Sequence, residues 1–240
     1  MPIPRVPEPE VMDSHQEATD YDTMDHSAVN QRFVEDLLAA GAQASPGSSA
    51  ALATQFSVQG DCLDVGAGTA QIPVALCEAA EGFRVAALDM STAMLDVAVY
   101  NLELAGLTDR IALIHGDAKE MPFADGAFHV VFSNSIVHHI PEPLEVLRES
   151  IRVTAPEGWL FFRDLLRPDT EEELQRLVDT YAAECNDHQR QMFAESLRSA
   201  FTLDELAERI ESLGGDPQRQ LKATSDRHWT WVAGRSELKS

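Results

Sequence analysis

From residue 62 onward the chain alternates short apolar runs with stretches whose apolar residues recur every three or four positions. The runs are Cys62-Leu63-Asp64-Val65, Arg84–Leu88, Ile111–Ile114, His129–Phe132 and Trp159–Phe162. Each is too short for a helix and has the length of a buried strand. Between them, Ile72, Ala75, Leu76 and Ala79 share one helical face. A second helix, from about Ser91 to Ala105, buries Met94, Leu95, Ala98 and Leu102. A third carries Leu144, Leu147 and Ile151 and stops before Pro156, whose ring disfavours helix in the residue before it. Repeated βα units of this kind predict an α/β fold: a mostly parallel sheet with helices on both faces.

The flanks read differently. The first 20 residues are Pro-rich and acidic and are expected to be extended or mobile. From Ser27, the spacing of Val29, Phe33, Leu37 and Leu38 predicts an amphipathic helix ending near Gly41, followed by a loop over 41–50. In the last third, Thr170-Glu-Glu-Glu173 and Thr202-Leu-Asp-Glu205 fit the capping box that satisfies free amides at a helix start. Leu174, Leu177, Val178 and Tyr181 follow the first box, and Leu206 and Ile210 the second. His228–Val232 reads as a last strand. The expected organisation is a lid segment and helix over 1–45, then one α/β domain over 46–240 with a helical insertion at about 166–215.

Composition narrows the function classes. Of 240 residues, 44% are hydrophobic, enough for a sizeable core. Forty acidic residues against 18 Lys plus Arg give a net charge of -22, and Lys occurs only at 119, 222 and 239. Such a surface repels phosphate backbones, and no basic patch offsets it, so no nucleic-acid partner is expected. No apolar run approaches membrane-spanning length, and the N-terminus lacks the features of a secretory signal; a cytoplasmic location with no membrane partner is expected. Cys62, Cys77 and Cys185 are scattered and read as buried or free thiols, not as a disulfide frame or zinc site.

The densest chemistry lies where the first strand meets its helix, in Asp64-Val65-Gly66-Ala67-Gly68-Thr69-Ala70. Small residues at such a turn let the backbone approach a ligand at the carboxyl edge of the sheet. A dinucleotide fingerprint would need a third Gly at position 71, which is Gln71. A carboxylate at Asp64 would also repel a pyrophosphate, whereas it suits a sulfonium bearing an α-ammonium group. Asp89 follows the second strand and is placed to accept ribose hydroxyls, with Met90 beside it to pack on an adenine face. Asp117, in His115-Gly116-Asp117-Ala118, follows the third strand and can accept from an adenine amino group. Acids at three successive strand ends make one coherent adenosine site.

On these residues the chain resembles the class I methyltransferases that use S-adenosylmethionine (SAM) and release S-adenosylhomocysteine. The resemblance covers residues 60–163. Asp64–Ala70 looks like the family's first motif, with Ala70 where a third glycine is usual. Asp89 matches its ribose acid, and Asp117 with Ala118 its adenine contact. Phe132-Ser133-Asn134-Ser135 is similar to the motif flanking the transferred methyl. Implied cofactor contacts are therefore Asp64, Gly66, Ala67, Gly68, Asp89, Met90, Gly116, Asp117, Ala118 and Asn134. Arg5-Val-Pro-Glu-Pro-Glu-Val-Met and Ser225-Asp-Arg-His228 look more loosely like a bacterial subgroup without an assigned substrate.

Methyl transfer from a sulfonium is an in-line displacement, so the protein mainly aligns the nucleophile, excludes water and, where needed, removes a proton. Candidate groups on the acceptor side are Asn134, Ser135, His138 and His139 after the fourth strand, and Arg163 and Asp164 after the fifth. Tyr21 and His26 fall in the expected lid. Either His138 or His139 has the intrinsic pKa of a general base; alternatively one is buried and hydrogen-bonded and the other packs beneath the lid. Neighbouring residues diverge on a strand and no ligand spacing completes a set, so no metal is expected. Asp164 either anchors substrate or pairs with Arg167, and Arg227 and His228 either reach the pocket or face solvent. The expected acceptor is a small molecule, methylated at sulfur or oxygen. A protein acceptor and a non-catalytic SAM-binding module are the alternatives, and the sequence leaves oligomeric state open.

Overall fold

A computed structural model describes residues 3–9, 11, 14–44 and 62–239. Its centre is a seven-stranded sheet in the order β3-β2-β1-β4-β5-β7-β6. The strands are β1 Cys62–Val65, β2 Val85–Asp89, β3 Ile111–His115, β4 Phe128–Asn134, β5 Thr154–Leu165, β6 Leu221–Ala223 and β7 His228–Gly234. The first five are parallel; β7 runs antiparallel to both β5 and β6. The chain reverses direction across the sheet at β1 and β4, which opens a crevice at their carboxyl ends.

Period-two alternation sorts the strand residues between two apolar layers. Leu63, Val131, Leu160, Phe162, Trp229 and Trp231 face one layer. Cys62, Val130, Phe132, Trp159 and Phe161 face the other. The helices are α1 His15–Asp22, α2 Ser27–Ala44, α3 Gln71–Ala79, α4 Thr92–Ala105, α5 Leu144–Val153, α6 Glu171–Tyr181, α7 Asp187–Ser199, α8 Leu203–Ser212 and the one-turn α9 Pro217–Gln220. Phe33 of α2 is fully buried, with ring centroids 5.1 Å from Phe161 and 6.0 Å from Phe132. That helix packs as part of the core.

Several expectations need correcting. Residues 15–22 are helical, not extended; Ser14 and Glu17 close a capping box at their start. The loop expected over 41–50 begins later, because α2 continues through Gly41 to Ala44; residues 45–50 lie outside the described residues. Gly41 is no helix stop: a Cβ there would sit 2.9 Å from Trp159. The glycine lets the helix approach the sheet. Helix α7 was not anticipated, although Asn186 and Gln189 form its capping box. The fifth strand starts at Thr154 and passes through Pro156, where the register with β4 shifts between Phe128 and Val130. Proline is tolerated at such irregularities because no ladder amide is needed there.

Candidate functional site

A cleft of about 1040 Å³, its open mouth included, lies over the carboxyl ends of β1, β2, β3 and β4. Its floor is the β1–α3 turn. Gly66 has φ +75°, and a Cβ there would lie 2.5 Å from Ile136 Cδ1, so packing and backbone both demand glycine. Gly68 also has positive φ, +54°, yet a Cβ on it would meet nothing within 4 Å. The space beside Gly68 is cleft, not protein. Ala70 adopts the left-handed conformation at φ +61°, fully buried, and fills the third small-residue position at a cost of about 1 kcal/mol.

The three acids converge as expected. Asp89 Oδ2 accepts from the Gly68 N–H at 2.7 Å and Oδ1 from the Ser91 N–H at 2.8 Å. This clamp fixes the carboxylate at the rim of the cleft. Burial raises its pKa above the ordinary carboxylate value against the pull of those amides. Asp64 is raised well above, by burial first and by the Asp89 charge second. Two buried carboxylates facing one cavity create a demand for positive charge. Asp117 lines the same cleft, its Oδ1 accepting from Lys119 N–H at 2.8 Å. Gly116, Ala118, Ala67 and the exposed side chain of Met90 complete that end.

At the other end the lining is Val11, Tyr21, Asn134, Ser135, Ile136, His139, Ile140 and Val146. Asn134 Oδ1 and Thr69 Oγ1 are buried without a hydrogen-bond partner, as ligand-facing polar atoms would be. Tyr21, from α1, has its pKa pushed up to about 12, by burial first and then by Asp64 and Asp89. His26 does not line the cleft; its ring packs on Tyr21 at 4.8 Å. Gln71, at the position where a dinucleotide fold would have glycine, donates to Asp22 Oδ1 at 2.9 Å and accepts from Asn30 at 3.0 Å. Asn101 of α4 donates to the same Asp22 oxygen at 2.8 Å. These bonds latch α1 and α2 onto the floor.

The two neighbouring histidines occupy a 3-10 turn, Val137–His139, with ring centroids 4.1 Å apart. They do not diverge as strand neighbours would. His138 lies beneath the cleft lining and is buried; its Nδ1 is 2.5 Å from Asp164 Oδ1, and its backbone N–H donates to Asp164 Oδ2. Asp164 thus pairs with His138, and Arg167 pairs with Glu205 at 2.6 Å. Burial works against the charged form of His138, but Asp164 and Glu8 outweigh it and raise its pKa to about 9. His139 goes the other way, to about 4, through burial and the neighbouring His138 charge. Arg163 is held by Asp36 and Thr230; Arg227 stacks 3.3 Å over Tyr181, and His228 contacts Ser225 at 2.9 Å. None of these three lines the cleft.

Missing from the sequence reading is the strap over residues 3–9. Arg5 donates to the carbonyls of Ser199, Pro141, His138 and Ile140 and lies 3.7 Å over the Phe201 ring. Glu8 Oε1 comes within 3.2 Å of both His138 Nε2 and His139 Nδ1. The Arg5-Val-Pro-Glu8 segment holds these residues, but nothing local indicates their distant partners.

Comparison with known proteins agrees with this architecture. Residues 63–162 match the family described as a methyltransferase domain. The matched stretch resembles a methyltransferase domain and takes in β1 to β4 and most of β5. Over 108 residues the chain is 36% identical to a demethylmenaquinone methyltransferase of Bacillus velezensis, covering 45% of this chain and 46% of that enzyme. The chain spans about half the length of the curated relatives it matches first. A solved structure from Methanococcus maripaludis aligns over 98% of this chain and 99% of its own, with TM-score 0.61 and 16% identity. A SAM-dependent methyltransferase of Aquifex aeolicus aligns over 81% and 95%, with TM-score 0.53 and 17% identity. At these identities the two structures show the fold. The match ends at Phe162, so the latched helices α1 and α2, the strap and helices α6 to α8 lie outside it.

Proposed function

We propose that the protein is an enzyme that binds SAM in the cleft and transfers its methyl group to a small-molecule acceptor at sulfur or oxygen. The Asp89 clamp carries this reading: two backbone amides hold a carboxylate where ribose hydroxyls would meet it, next to an open space at Gly68. Asp64 and Asp89 together favour a cationic ligand, and the adenine end is supplied by Met90, Gly116, Asp117 and Ala118. Asn134, with its unpaired Oδ1, stands where the methyl donor would meet the acceptor. Val11, Ile136, Ile140 and Val146 give the acceptor side an apolar wall, which suits a displacement that disperses charge. A small acceptor agrees with the name of the relative, a demethylmenaquinone methyltransferase. Tyr21 roofs the reacting end, and His26 supports it from behind.

Calorimetric titration with SAM, S-adenosylhomocysteine and NADH tests the cofactor. Micromolar binding of both adenosyl ligands, lost in Asp89→Ala, is expected. Binding of NADH alone, or of nothing, would sink the reading. Turnover with small thiols or phenols then separates an enzyme from a SAM-binding module without activity.

A further inference from the structure

We infer that Glu8, His138 and His139 form a binding site for one zinc-class divalent metal ion, which pins the N-terminal strap beside the cleft. Three ligand atoms, Glu8 Oε1, His138 Nε2 and His139 Nδ1, lie within 4.8 Å of one another. Glu8 Oε1 is 3.2 Å from each nitrogen. Bonds of about 2.0–2.1 Å in a tetrahedral zinc site place ligand atoms roughly 3.4 Å apart, so both spacings fit with little movement.

Two further observations point to a ligand. Glu8 Oε1 and His139 Nδ1 are buried and make no hydrogen bond of good geometry, although Glu8 Oε1 faces both imidazoles at ion-pair distance. Buried ligand-type atoms that converge with poor hydrogen-bond geometry are arranged as they would be around a common centre. The second is Asp164, itself fully buried, on the far nitrogen of His138 at 2.5 Å. A carboxylate on the remote ring nitrogen is the arrangement that orients metal-ligating histidines and raises their basicity. Arg5 does not compete for these acids, because its donors go to four backbone carbonyls.

Two imidazoles and one carboxylate select a borderline transition metal over Mg²⁺ or Ca²⁺, which require mainly oxygen ligands. Three protein ligands leave a fourth position for water, and His139 borders the cleft. The inference concerns binding alone and stands apart from the SAM reading, since each has its own ligand and its own variant.

The test uses the full chain, dialysed against chelator and titrated with Zn²⁺, Co²⁺ and Mg²⁺ without SAM. One equivalent of Zn²⁺ should bind, Mg²⁺ should not, and Co²⁺ should give the intense visible absorption of a four- or five-coordinate site. Glu8→Gln and His139→Asn should each weaken Zn²⁺ at least ~100-fold, and Asp164→Asn roughly 10–100-fold. Glu8→Gln changes a strap residue outside the main core and keeps side-chain shape, so it guards against misfolding. Zn²⁺ should also slow tryptic cleavage after Arg5 in the wild type but not in Glu8→Gln. Absence of Zn²⁺ binding, or binding that survives both ligand substitutions at other histidines or cysteines, would overturn the site.

Discussion

The two ends of the cleft are built by opposite strategies. At the adenosyl end, each acid sits within two residues of a strand's carboxyl end, and Asp89 is clamped by Ser91 of its own turn and Gly68 of the neighbouring one. At the acceptor end, groups from the strap, the Val137–His139 turn, β5 and α7 meet across most of the chain. The first end is built by the edge of the sheet. The second depends on distant segments meeting, and the buried Asp164–His138 pair ties them together. Substitutions should therefore act on ligand affinity at one end and on stability at the other.

The largest effect should come from Asp164→Ala. It leaves the His138 imidazole buried beside a single remaining acid, and loss of one partner of a buried pair costs about 3–5 kcal/mol. Thermal unfolding should shift down by roughly 10 °C in a chain of this size. A shift within a degree or two would mean the acceptor end is not structurally coupled as described. Asp89→Ala should do the reverse. Removing ribose acceptance is expected to cost SAM about 3 kcal/mol, roughly 100-fold in Kd. The melting temperature should hold or rise, because a buried carboxylate with a raised pKa opposes folding when ionised.

Gln71→Ala probes the seam between the two ends. It removes the bonds to Asp22 and Asn30, so about 1 kcal/mol of cover stability should be lost. Limited proteolysis should show faster cutting within residues 15–44 while α4 and the sheet stay protected. Equal acceleration everywhere would mean that α1 and α2 do not open separately.

The smallest effect is on pH dependence. Asp64 and Asp89 have folded pKa values above those of free carboxylates. Their contribution to ligand-free stability is thus largest at acid pH and diminishes as pH rises through the folded values. A cationic ligand favours the ionised pair, so SAM affinity should rise over that same window. The melting-temperature gain on adding SAM, measured against pH, should grow through it. A flat gain would remove Asp64 and Asp89 from the cation's surroundings.

What could be read beforehand follows the same division. Strand runs, helix faces and the acids at positions 64, 89 and 117 were legible because each signal is local: a run, a period, a residue after a strand. Gly41 misled because a glycine that admits Trp159 looks the same in sequence as one that ends a helix. Helices α1 and α7 carried capping boxes at Ser14 and Asn186, but weak apolar periodicity masked them. The His138–Asp164 pair and Glu8 were illegible for a different reason. Each residue is ordinary alone, and only tertiary packing brings them together.

The strap also bears on the order in which the molecule is assembled. Arg5 and Ser199 are separated by 194 positions, so the strap, made before α7, has no seat until that helix has been made and packed. Contacts of such separation carry a high loop-closure cost and form late in folding. Until then the Rossmann-like half can be complete while its acceptor wall stands open. A ribosome-bound chain halted before residue 199 would therefore hold β1 to β5 and the adenosyl turns but lack both the seat of Arg5 and the closing strands β6 and β7.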